Sequence, residues 1–83
     1  MELDVLRKRL LWRASHRGMK EMDLMLGGFT RAHIAEMTEA ELQELEAIVS
    51  LPDQDLLSWV VSQSEVPERH RSATLMRLLA YRP

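Results

Sequence analysis

Thr38-Glu39-Ala40-Glu41-Leu42-Gln43-Glu44-Leu45-Glu46-Ala47-Ile48-Val49 is the stretch that decides the fold. Thr38 suits a helix N-cap, and Glu41 stands where its carboxylate can reach back to the Thr38 amide, completing a capping box. Met37 and Leu42 flank that first turn as a hydrophobic staple. Beyond it, Leu42, Leu45, Ile48 and Val49 recur on one helical face, and Glu39, Gln43, Glu44 and Glu46 are expected to face water. The period belongs to a helix, not a strand.

The same period extends in both directions. Residues 3–15 read as a first helix, with Leu3, Leu6, Leu10 and Ala14 on one stripe and Arg7 and Lys8 turned largely away from it. Gly18 then interrupts, since it can take a left-handed or otherwise open turn without a Cβ penalty. Met19, Met22, Leu26 and Phe29 resume the pattern, which carries on through Ala32, His33 and Met37. Gly27 and Gly28 weaken this second helix by about 1 kcal/mol each relative to Ala. They mark a kink or the close approach of another helix. Further on, Pro52 precedes Asp53, read as the N-cap of a short helix holding Leu56, Leu57, Trp59, Val60 and Val61. Residues 62–65 read as a loop. Pro67-Glu68 is expected to begin a last helix bearing Leu75, Leu78 and Leu79. Tyr81 falls where a chain end frays. The expected fold is all-α, a compact bundle of about five short helices forming one domain over residues 1–83.

Composition narrows the function. A chain of 9.7 kDa has a folded surface of roughly 5,100 Å² by size scaling. So small a core needs nearly all the Leu, Met, Ile, Val and Phe, with Trp59 among them. A partner is therefore expected on the surface rather than in an enclosed cavity. There is no cysteine, and His16, His33 and His70 lack ligand spacing, so no metal site is expected. Glu2 and Asp4 do not fit a signal peptide, no apolar run is long enough to span a bilayer, and a cytoplasmic location is expected. Residues 1–20 carry six Arg or Lys against two acids, whereas residues 21–56 carry one Arg against nine acids. That asymmetry can steer a protein partner, while a pI near 5.9 argues against nucleic acid.

The segment Arg17-Gly18-Met19-Lys20-Glu21 has two readings. In one, it is a local capping turn in which Arg17 pairs with Glu21. In the other, Gly18 permits a close backbone approach, framed by Arg17 and Glu21, and the turn docks another protein. On the second reading, Arg17→Ala and Glu21→Ala leave the fold intact. His16, Glu21 and Asp23 hold acid–base groups, but nothing near them supplies an oxyanion site, so an enzyme is not expected.

Trp12-Arg13-Ala14-Ser15-His16-Arg17-Gly18-Met19-Lys20-Glu21-Met22-Asp23, followed by Leu51-Pro52-Asp53-Gln54-Asp55-Leu56-Leu57-Ser58-Trp59, resembles the two signature stretches of the succinate dehydrogenase flavinylation (FAD assembly) factor family. Arg17, Gly18 and Glu21 fall on its Arg-Gly-x-x-Glu motif and Asp23 on the acidic residue that often follows. His16 departs from the second Arg of many members. The resemblance implies a five-helix assembly factor that binds the flavoprotein subunit of succinate dehydrogenase and, in some bacteria, of fumarate reductase. It also implies that the factor promotes attachment of FAD to a histidine of that subunit. Partner contacts are then expected at His16, Arg17, Gly18, Glu21 and Asp23, with no direct membrane insertion. FAD belongs to the partner, and no stably bound cofactor is expected, because no Gly-rich loop follows a strand. From the residues alone, a generic helical module regulating another enzyme is the alternative.

Overall fold

The computed structural model describes residues 2–83. Helix α1 spans Leu3–Ser15. After the turn at residues 16–19, α2 (Lys20–Met22), a π-helical stretch (Asp23–Gly27) and α3 (Gly28–His33) follow one another as a single rod. A 3-10 turn (Ile34–Glu36) leads to α4 (Glu39–Val49) and α5 (Asp53–Val60), and a second one (Glu68–His70) precedes α6 (Ala73–Ala80). With the rod counted once, the described residues form five helices. The exposed surface, 5218 Å², matches the size expectation.

Helix α4 forms as its sequence dictates. The Thr38 hydroxyl accepts the Glu41 amide at 3.2 Å, and the Glu41 carboxylate accepts the Thr38 amide at 2.9 Å. The Thr38 amide and hydroxyl, followed by the nearby Arg77 guanidinium, hold the Glu41 carboxyl below its ordinary range. Leu42, Leu45, Ile48 and Val49 are buried. Helix α4 packs on α1 and α6, and α1 also packs on the rod. Leu10, Ala14, Met22, Leu26, Phe29, Leu56 and Trp59 fill the centre. Leu45 has no exposed surface, so Leu45→Ala is expected to destabilise the domain by at least about 2 kcal/mol in chemical denaturation. An unchanged midpoint would reject this packing.

Several local expectations are corrected. Asp53 does not cap α5: Pro52 occupies the cap, and the Asp53 carboxylate turns to the residue 16–19 turn instead. The last helix starts at Ala73, capped by the Ser72 hydroxyl, which accepts the Leu75 amide at 3.0 Å. Glu44 does not simply face water, because α6 begins beside it. Its carboxylate accepts both the Thr74 hydroxyl (2.7 Å) and the Thr74 amide (3.2 Å), the latter a donor that a helix start leaves without a backbone partner. Leu3 and Met76 are exposed. Arg7 turns inward, donating to the Ile34 and Met37 carbonyls. Tyr81 is half-buried, edge-on to Phe29 at 5.8 Å between centroids.

The glycine pair marks close approaches. A Cβ on Gly27 would meet Ser15 Cα at 3.2 Å and the Ala14 carbonyl at 3.3 Å, and one on Gly28 would meet the Tyr81 hydroxyl at 3.1 Å. At Gly27 the neighbour is the α1 backbone, which cannot swing aside as a side-chain tip can. The rod therefore lies against α1 where it carries no side chain.

Candidate functional site, a latched turn

Helix α1 ends at Ser15 and α2 starts at Lys20, so the chain must reverse within residues 16–19. Two carboxylates from different parts of the chain hold that reversal. Asp23 Oδ1 accepts the Arg17 amide at 2.6 Å, and Asp53 Oδ2 accepts the Gly18 amide at 3.1 Å. Both backbone donors are thus satisfied by side chains rather than by regular structure.

The Arg17 side chain points into the molecule. Its Nε donates to Asp53 Oδ1 at 2.7 Å, one terminal nitrogen to the Val49 carbonyl at 2.6 Å and the other to the Leu51 carbonyl at 2.8 Å. A planar guanidinium suits this task, because it reaches three acceptors at once. The Val49 carbonyl ends α4 and the Leu51 carbonyl lies just beyond it, where the helix dipole favours a cation. The Arg17 and Asp53 side chains are only 10% and 18% exposed. Arg17 does not pair with Glu21, so the local capping reading does not describe this turn. Instead, Arg17 latches the first signature stretch to the second, across 36 positions of chain.

What the latch leaves outside differs in kind. Gly18 and Glu21 are exposed, and Glu21 makes no hydrogen bond or ion pair among the described residues. Gly18 does not have a positive φ, which removes the left-handed conformation as a reason for glycine. A Cβ there would meet nothing nearer than Asp53 Oδ2 at 3.9 Å. His16 is exposed beside them and stacks on Trp12, with ring centroids 4.2 Å apart and planes 14° from parallel. Of the five residues expected at a partner interface, His16, Gly18 and Glu21 form the outer surface, and Arg17 and Asp23 hold its backbone. Sequence reasoning missed Asp53 as the third component. The signal was present in the Pro52-Asp53 pair, but an acid after a proline before a helix reads first as a cap.

The structure is thus a small all-helical protein whose hydrogen-bonded turn exposes a bare glycine and a carboxylate unpaired among the described residues. The chain belongs to a known family. Residues 8–82 match the family described as flavinator of succinate dehydrogenase. The chain is 38% identical over 74 residues to succinate dehydrogenase assembly factor 2, mitochondrial, from Dictyostelium discoideum, covering 89% of this chain and 52% of that protein. It is 38% identical over 73 residues to the FAD assembly factor SdhE of Acetobacter pasteurianus, covering 88% and 67%. With the Candida glabrata assembly factor 2 it shares 36% over 80 residues, covering 93% and 52%. The chain spans about half the length of the mitochondrial relatives it matches.

Proposed function

We propose that this chain docks through its residue 16–21 turn on the flavoprotein subunit of succinate dehydrogenase and promotes the covalent attachment of FAD to that subunit. Gly18 carries the reading. Its backbone angle does not require glycine and the fold leaves the space beside it open, so a partner can approach the bare backbone closely there. Glu21 adds a carboxylate whose hydrogen-bonding capacity is unused among the described residues, and family membership supports this class of partner.

Docking accelerates such a reaction by favouring a flavoprotein conformation in which its histidine and the flavin ring are already placed for bond formation. The chain contributes a rigid surface, and FAD stays with the flavoprotein. The flavoprotein of fumarate reductase is a second candidate partner on the same logic. We place the encounter in the cytoplasm, which the cysteine-free sequence fits.

The test is in-gel flavin fluorescence of the flavoprotein subunit, expressed in cells lacking their own factor. The chain is expected to restore covalent flavin. Glu21→Ala is expected to slow attachment by about tenfold, the worth of a charged hydrogen bond, with an unchanged melting temperature because Glu21 is exposed and unpaired. Failure of the wild-type chain to restore any flavin would reject the proposal.

A further inference from the structure

Beside the turn, α1 and α3 enclose an open groove of about 320 Å³ lined by Lys8, Leu11, Trp12, Ser15, His16 and Arg31. Its floor is mainly apolar, and Trp12 leaves 62% of its surface in water. Trp12 is nonetheless held in place. It stacks on His16, whose Nδ1 donates to the Trp12 carbonyl at 2.8 Å. A fixed, exposed tryptophan has the character of an interface anchor, since little side-chain freedom is left to lose on binding.

The rim is cationic. Lys8 and Arg31 form no ion pair among the described residues, and Arg31 donates only to the Ser15 hydroxyl, at 3.2 Å. None of the lining residues is acidic, although the chain as a whole carries a net charge of −2. The two cations thus remain available for an external anion, over a floor suited to apolar contact.

We infer that this groove is a second half of the docking surface, receiving a segment of the partner flavoprotein that sets an Asp or Glu carboxylate between Lys8 and Arg31 and an apolar side chain on Trp12. The inference rests on the docking function proposed above, and His16, shared by groove and turn, makes the two surfaces continuous. The groove lies at the small end of the roughly 300–1,000 Å³ typical of ligand pockets. It accommodates one or two side chains more readily than a dinucleotide.

The experiment measures binding of purified flavoprotein subunit to the chain at low and high salt, with circular dichroism as the folding control. Trp12→Ala is expected to weaken binding by about tenfold or more, and Lys8→Glu with Arg31→Glu by about a hundredfold at low salt. Lys8→Gln with Arg31→Gln should flatten the salt dependence. Gly18→Arg tests the turn separately. Groove variants that bind as wild type, while Gly18→Arg does not bind, would overturn the groove and keep the turn. A wild-type chain that does not bind would overturn both. A titration with free FAD completes the set. Tight binding that shifts the Trp12 indole signal and is lost in the groove variants would make the cofactor the occupant and overturn the inference.

Discussion

Gly18→Arg is expected to abolish flavin attachment to the flavoprotein subunit while leaving a fully folded protein. The two halves of that result have separate causes. Folding survives because the added Cβ enters open space, with its nearest neighbour 3.9 Å away, and because the backbone is not in the left-handed region. The Gly18 amide keeps its bond to Asp53. Docking fails because a long charged side chain then stands where the partner's surface must come to rest, and a buried clash or an unpaired guanidinium in the interface weakens binding by orders of magnitude. Thermal melting should match wild type within a few degrees, and in-gel flavin fluorescence should fall to the level without the factor. A variant that unfolds would show that Gly18 serves the fold. One that stays folded and fully active would remove the turn from the interface.

Arg17→Ala is expected to act by the opposite route. It removes the group that joins Asp53, the Val49 carbonyl and the Leu51 carbonyl, and leaves a largely buried carboxylate without its cation. Removing one partner of a buried pair costs about 3–5 kcal/mol, and the partial exposure of both groups places this one near about 3 kcal/mol. A domain of this size has a total stability on the order of 4–12 kcal/mol, and the melting temperature should drop by about 12–24 °C. Arg17→Lys should recover little, since one ammonium cannot span three acceptors. A double-mutant cycle with Asp53→Asn isolates the ion pair. Flavin attachment should fall in both variants as the turn loses its support. Unchanged melting for Arg17→Ala would mean that the latch contributes nothing to stability.

That expectation reverses the one drawn from sequence, where Arg17 was an exposed docking group whose loss spared the fold. Helix α4 and the end of α1 were legible because they depend on neighbours within a few residues: the Thr38–Glu41 box, the Leu42–Val49 face and the end of α1 at Ser15 all appear as the pattern predicts, whereas the start of α6 at Ala73 does not. The location of the turn between α1 and the rod was legible as well, since its signal is contiguous. Orientation was not. Whether Arg17 faces out or in depends on Asp53, Val49 and Leu51, which periodicity cannot bring together. Glu44 repeats the lesson, for only the arrival of α6 turns an exposed glutamate into a cap for Thr74.

The π-helical stretch at Asp23–Gly27 bears on how chain length can vary here. A π-turn holds one residue more than the α-turn it replaces. Losing a single residue from this stretch would let the wider hydrogen-bonded loops contract to ordinary ones, with Met22 before and Phe29 after still directed into the core. The same deletion inside α4 would rotate every later residue of that helix by about 100°, carrying Ile48 and Val49 toward solvent and the carbonyl that Arg17 grips out of reach. Within the helical rod, the stretch is thus a built-in expansion joint.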